Sequence, residues 1–267
     1  MKASDGPIGL FDSGVGGLTV ARALARKLPN ERLLYFGDTA HLPYGEKSPE
    51  AIRSYALGIS RHLIDQGAKA IVVACNSASA VALDVLKDEL DIPVYNVIDP
   101  VVDYLHRHHA KHIGIWGTRA TVSSGIYPRK LAEVLPAAEV QPLATPLLVP
   151  VIEENLLSGA VTDAVVSLYL NDPKMEGVEH LVLACTHYPL ISSQIAKQLE
   201  KKVSLLRIPT IVANSIAKQL DEAQLLRAKP ATKPHHFAVS DYTDSFAKVS
   251  RIFFGKGISL VEENIWG

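Results

Sequence analysis

The chain has 267 residues, with 27 basic and 28 acidic side chains giving a formal net charge of −1, and 48% of its residues are hydrophobic against 21% charged. That length accommodates one large or two ordinary domains with ample core, and that composition excludes a disordered chain. The balanced charge supplies no positive field to hold a polyanion, so nucleic acid is excluded as the main partner, and no apolar stretch approaches the ~18 to 20 residues of a membrane-spanning helix.

Strands and helices alternate along the chain. Ile8 to Phe11 reads as a short strand, followed by the turn Gly14-Val15-Gly16-Gly17 and a helical run from Leu18 that Pro29-Asn30 ends. Leu33 to Phe36 is the next strand, and Gly37 to Gly45 a long loop. Pro49 opens an amphipathic helix with Ile52, Ala56, Ile59 and Leu63 on one face. A strand over 70–74, a helix over 78–90 and a strand over 93–97 complete the first half. After Asp99-Pro100 the pattern restarts, because Ile113-Gly114-Ile115-Trp116-Gly117-Thr118 resembles Ile8-Gly9-Leu10-Phe11-Asp12-Ser13, 105 residues earlier. The apolar run 181–184 ends at Cys185 as the run 71–74 ends at Cys75, 110 residues earlier. Two features repeated in one order at nearly one offset predict two related lobes. A strand over 205–208, a helix over 211–220, the breaker-rich linker Lys229 to Pro234, a strand over 237–240 and a helix over 245–254 follow. The alternation predicts an α/β fold with a mainly parallel sheet in each lobe.

Cys75 and Cys185 are the chain's two cysteines, and each sits at the carboxyl end of a predicted parallel strand. Ligands of open α/β sheets bind at such strand ends, and the amino end of a following helix favours a thiolate there. Two matched thiols suit a reaction that needs two proton-transferring or nucleophilic groups. A pair of cysteines makes no disulfide framework, and Met1 to Pro7 lacks the apolar core of a signal peptide, so a cytoplasmic location is expected. With eleven residues ahead of Asp12, no amino-terminal regulatory extension is expected.

Asp12-Ser13-Gly14-Val15-Gly16-Gly17 leaves a strand and enters a helix as a dinucleotide fingerprint does, with Thr19 in place of the third glycine and Asp38 as a ribose acceptor. The other readings are a tight turn that needs small residues, or polar groups and glycine N–H donors presented to a small anion. The loop through Pro43-Tyr44-Gly45 suits a wall over a cleft. His187, two residues beyond Cys185, is placed to orient that thiol or tune it. His106, His108, His109 and His112, with no Cys or carboxylate at zinc-ligand spacing, read as a solvated helix end, as do His235-His236, and no metal site is expected. Val81 and Ile191 occupy the arginine position of a thiol-phosphatase loop, which disfavours that chemistry. No lysine stands in these strand-end motifs to form a pyridoxal Schiff base.

Leu10-Phe11-Asp12-Ser13-Gly14-Val15-Gly16-Gly17, Tyr35-Phe36-Gly37-Asp38, Pro43-Tyr44-Gly45, Ala74-Cys75-Asn76-Ser77-Ala78-Ser79 and Cys185-Thr186-His187-Tyr188-Pro189-Leu190 together resemble the signatures of the glutamate racemase family. The segments 117–122 and 149–154 are similar to that family as well. The resemblance implies a cofactor-independent enzyme of two pseudosymmetric α/β lobes with the active site between them. It also implies a discontinuous first lobe, over 1–97 and 209–267, with 98–208 forming the second. By the same resemblance, Cys75 exchanges a proton with D-glutamate and Cys185 with L-glutamate, assisted by Asp12 and His187, with Glu153 in a lesser auxiliary role. Asp12, Ser13, Pro43, Tyr44, Gly45, Asn76, Ser77, Thr118, Thr186 and His187 are the implied substrate-binding residues. The implied role is supply of D-glutamate for peptidoglycan. The sequence departs from the family at Ser77 (usually threonine), at Thr145 (often cysteine) and in the segments 96–100 and 207–210. Aspartate racemase of the same superfamily, a dinucleotide-dependent reductase and a silent binding protein are the competing readings. A homodimer is the expected assembly.

Overall fold

The computed structural model describes residues 3–199, 201–255 and 258–267; Met1 and Lys2 of the amino-terminal segment lie outside them. Among the described residues the strands are β1 (Ile8–Asp12), β2 (Leu33–Gly37), β3 (Ala70–Val73), β4 (Val94–Asn96), β5 (His112–Gly117), β6 (Glu139–Ala144), β7 (His180–Ala184), β8 (Ser204–Leu205), β9 (His236–Val239) and β10 (Leu260–Glu262). They form a six-stranded sheet in the order β10-β9-β2-β1-β3-β4 and a four-stranded sheet in the order β6-β5-β7-β8. Every pairing is parallel. The inner order of the first sheet, β2-β1-β3-β4, matches the whole of the second, β6-β5-β7-β8, so the repeat seen as two offsets is a repeat of topology.

Burial explains the strand sequences. All residues of β1, β2 and β3 are buried, which is why they read as continuous apolar runs rather than alternating ones. Each fully buried Val, Leu or Ile contributes roughly 1.5–3 kcal/mol, so these central strands hold the strand ends firmly. The helix Ile208–Glu222 packs against both Leu18–Lys27 and Asp99–Arg107, joining the two halves through one core. The buried pair Lys69 Nζ to Glu31 Oε2 (2.6 Å) is completed by the Arg227 N–H donating to Glu31 Oε1 (2.7 Å).

Several elements differ from the sequence reading. The helix expected over 78–90 begins at Asn76 and is two helices, Asn76–Val81 and Leu83–Glu89, meeting at Ala82. The strand expected over 205–208 is confined to Ser204–Leu205, since Ile208 already opens the next helix with Pro209 in its first turn. The loop 37–45 contains two tight helical turns, Thr39–His41 and Tyr44–Glu46. β10 was not anticipated, and its Val261 and Glu262 are exposed at the sheet edge, without the buried apolar pattern that marks the central strands. His235 and His236 are not a solvated helix end: His236 lies on β9 with Nε2 2.6 Å from Glu263, and His235 Nδ1 accepts from the Leu33 N–H. His106, His108 and His109 are exposed at and just after the end of the helix Asp99–Arg107, as expected, but His112 is no helix end: it opens β5 half-buried, with Nδ1 3.1 Å from Glu139 Oε2. No helix among the described residues is long and apolar enough to cross a membrane.

Candidate active site

β3 and β7 hold corresponding places in the two sheets, and the chain leaves each toward a cysteine. Both thiols open onto one cavity of about 180 Å³, walled by Ser13, 42–46 and 75–77 from the first half and by 118–119, 145–146, 149–150, Glu153 and 184–188 from the second. Each sulfur residue is nearly enclosed, Cys75 being 5% and Cys185 7% exposed. The two environments are otherwise unlike.

Cys75 caps the short helix Asn76–Val81, its Sγ accepting from the Ala78 N–H at 3.5 Å and lying 3.8 Å from Ser13 Oγ. The helix end was expected to favour a thiolate. Burial and the negative charge of Asp12 outweigh it and push the thiol up to about 12, so Cys75 holds its proton at neutral pH. Asp12 itself lies beneath the cavity rather than on its wall: it is fully buried, Oδ2 accepts from the Gly17 N–H at 2.7 Å, and Oδ1 has no partner.

Cys185 does not cap an α-helix. The tight turn Tyr188–Ile191 intervenes before the helix Ser192–Gln198. Its partner is His187, whose Nδ1 is 3.7 Å from Sγ and whose Nε2 is 3.1 Å from Glu153 Oε1. Burial pulls this imidazole down, but the bonds to Cys185 and Glu153 and their negative charge prevail and raise it to about 10. A cationic His187 supplies the counter-charge that a negative sulfur needs. Glu153 ends the helix Leu148–Glu153, where a carboxylate meets the negative pole, and the imidazolium offsets that cost.

The glycine turn serves packing. A Cβ at Gly16 would lie 2.5 Å from Thr186 Oγ1 and 2.6 Å from His187 Nδ1, and one at Gly17 would lie 2.6 Å from Asp12 Cβ. Thr19 Oγ1 donates to the Thr186 carbonyl across the two halves. Protein atoms therefore fill the space a pyrophosphate would need, and the Asp38 carboxylate is occupied by Ser240, Trp266, His41 and Tyr44. The dinucleotide reading is corrected on both counts.

Ser13, Pro43, Tyr44, Gly45, Asn76, Ser77, Thr118, Glu153, Thr186 and His187 all line the cavity with the thiols; of the sequence-derived residues, Asp12 alone does not. Ser77 Oγ lies 2.9 Å from Thr118 Oγ1, and the Tyr127 hydroxyl donates to Asn76 Oδ1 at 2.9 Å, so polar side chains from both halves meet at the wall. The Tyr44 hydroxyl donates to Asp38, which leaves its ring rather than its O–H for a ligand. Thr145, Val149, Pro150 and Tyr188 also line the wall; Thr145 is a departure from the family and the other three lie in family-like segments, but none carried a binding role. Thr145 and Tyr188 share a hydrogen bond at 2.8 Å. Arg119 stands at the edge of the site, exposed and 3.4 Å from Glu46. Among the described residues no cluster of His, Cys, Asp and Glu is arranged to hold a metal ion.

Two parallel-sheet halves presenting matched thiols, one backed by a carboxylate and one by an imidazole–carboxylate pair, define an acid–base enzyme acting on a small polar molecule. The chain belongs to the Asp/Glu/Hydantoin racemase family, whose sequence model matches residues 17–216. It is 40% identical over 249 residues to a glutamate racemase of Geobacter metallireducens, covering 93% of this chain and 92% of that one. The glutamate racemase from Francisella tularensis, solved in complex with D-glutamate, superposes with a TM-score of 0.90 at 34% identity, covering 98% of this chain and 99% of that one. The aspartate racemase of Picrophilus torridus is similar in fold alone, at 20% identity and a TM-score of 0.56, covering 82% of this chain and 98% of that one.

Proposed function

We propose that the protein interconverts L- and D-glutamate by moving a proton from one face of Cα to the other. The observation that carries this reading is the placement of Cys75 and Cys185 at the ends of corresponding strands, β3 and β7, on one enclosed cavity. Starting from L-glutamate, the Cys185 sulfur takes the Cα proton, the electron pair stays on Cα and its carboxylate, and the Cys75 thiol delivers its proton to the opposite face. D-glutamate runs the same steps in reverse. Cysteine suits both roles because its ordinary pKa of ~8.5 lies near enough to neutrality to be tuned either way. The resting arrangement, a protonated Cys75 and a Cys185 beside an imidazolium, is the one the L-to-D direction requires.

His187, oriented by Glu153, assists Cys185, and Asp12 assists Cys75 as a buried charge that keeps that thiol protonated. Ser13, Asn76, Ser77, Thr118 and Thr186 offer neutral donors for the two substrate carboxylates, with Pro43, Tyr44 and Gly45 as the facing wall. Neutral donors avoid binding the ground state more strongly than the transition state, as a fixed cation on each carboxylate would. The reaction as proposed needs no cofactor and supplies D-glutamate for peptidoglycan. We further propose lobes over 1–97 with 209–267 and over 98–208, a cytoplasmic location and a homodimer; β9 and β10 in the first sheet support the lobe division.

The test is circular dichroism of the purified protein with L- and D-glutamate and no additive, where decay of either signal to zero is expected. Inertness until pyridoxal phosphate or a nicotinamide is added overturns the reading, and much faster turnover of aspartate overturns the substrate.

A further inference from the structure

Asp38 directly follows β2 and is fully buried, and among the described residues no lysine or arginine pairs with its carboxylate. A charge held there depends on hydrogen-bond donors. Oδ1 accepts from Ser240 Oγ (2.9 Å), Trp266 Nε1 (2.9 Å) and His41 Nδ1 (3.0 Å), and Oδ2 from the Tyr44 hydroxyl (2.6 Å) and His41 Nδ1 (2.9 Å). The donors come from three separate stretches of chain, and one of them, Tyr44, lines the cavity.

Trp266 is held in place independently. Its ring meets Tyr55 and His41 edge-on at centroid distances of 5.6 and 4.9 Å, His41 stacks on Tyr55 at 3.9 Å, and a Cβ at Gly58 would come within 3.0 Å of the indole. The stretch leading to it is tied down at Glu263, whose N–H donates to the Val239 carbonyl and whose carboxylate bonds His236 at 2.6 Å and His62 at 3.0 Å. At the far end of the chain of bonds, a Cβ on Gly45 would lie 3.0 Å from Thr118 Cβ, so small movements of the turn 43–45 alter the cavity wall.

We propose that Trp266 is a positioning residue for the substrate-lining turn Pro43-Tyr44-Gly45, acting through Asp38; this rests on the reading of the cavity as the glutamate site. The indole N–H completes the donor set that holds the Asp38 carboxylate, and that carboxylate fixes the Tyr44 hydroxyl. The turn is part of the cavity wall and carries no group that gives or takes the substrate proton, so loosening it weakens binding of substrate and transition state alike. That raises KM with kcat unchanged.

The experiment compares Trp266→Phe, which keeps an aromatic ring over Gly58 but removes the donor, with the unmodified enzyme in both directions. KM for each enantiomer is expected to rise about three- to tenfold with kcat within about twofold. Introduced on Tyr44→Phe, where the chain of bonds is already cut, Trp266→Phe is expected to change KM less than about twofold further. An unchanged KM, a loss confined to kcat, or full additivity with Tyr44→Phe overturns the proposal. The unmodified protein gives a second reading that does not depend on the variant folding. It has two tryptophans, and the Trp266 indole N–H resonance, assigned with Trp116→Phe, is expected to shift when glutamate saturates the site. An unmoved resonance overturns the proposal. Absence of glutamate turnover by the unmodified protein refutes the proposed function instead.

Discussion

Replacing Glu153 by Gln isolates the charge that stands behind His187. The amide can keep a contact to Nε2, now 3.1 Å from the carboxylate, while losing the negative charge that helps hold the imidazole at about 10. The His187 side chain is 5% exposed, but that of Glu153 is 36% exposed, so solvent screens the pair in part. Between a surface ion pair at under about 1 kcal/mol and a charged hydrogen bond at about 1.5–3, the lost interaction is about 1–2 kcal/mol. That corresponds to a fall of about one pH unit in the pH at which His187 loses its proton. The L-to-D reaction needs a negative Cys185 sulfur beside a cationic imidazole. The high-pH limb of its kcat/KM profile should therefore move to lower pH by about one unit, leaving activity reduced about twofold near pH 9 and about fivefold near pH 10. The assay is circular dichroism of L-glutamate turnover from pH 6 to 10.5 for both proteins. A high-pH limb that stays in place in Glu153→Gln would refute the assignment of Glu153 as the charge behind His187, whatever happened to the maximum rate.

Cys75→Ser and Cys185→Ser should each nearly abolish racemisation, because each turnover needs a base on one face and an acid on the other. Elimination from glutamate analogues carrying a β leaving group should persist for the D-form in Cys185→Ser and for the L-form in Cys75→Ser; a shared preference for one enantiomer would contradict opposed thiols. Gly16→Ala places a methyl 2.5–2.6 Å from Thr186 and His187, so a loss of at least about tenfold in kcat and a lower melting temperature are expected; wild-type values for both would show the contact is soft. Native His187 keeps its proton to about 10, while in the unfolded chain histidine loses it near ~6.5. The stability from this raised proton affinity is full below that unfolded value and is lost as pH rises toward 10, so the unfolding free energy should fall over that range. Urea titrations of His187→Asn should show a flatter dependence, and an equal slope in both proteins would count against the cationic imidazole.

The α/β alternation, the parallel sheets and the two strand-end thiols were legible in the sequence because local features encode them. A strand buried on both faces must be apolar throughout, as 8–11, 33–36 and 71–74 are, and a turn whose backbone is pressed against other side chains must use glycine, as Gly16 and Gly17 do. The short spacing from Cys185 to His187 likewise placed an imidazole beside a thiol. What the glycines approach was not legible, since Thr186 and His187 lie some 170 residues further along the chain. The same holds for Asp38, which read as a ribose acceptor until its donors arrived from 240 and 266. Thr145, Val149, Pro150 and Tyr188 had no role assigned, although three of them lie in family-like segments, and they become wall only because the second sheet sets them against the first. β10 has two exposed residues and lacks the buried apolar run that marks a central strand, so only pairing with β9 makes it a strand. The charge state of Cys75 also belongs to the tertiary structure. Its helix cap is a local feature that favours the thiolate, but the burial and the Asp12 charge that reverse the balance arise from packing β1 beside β3.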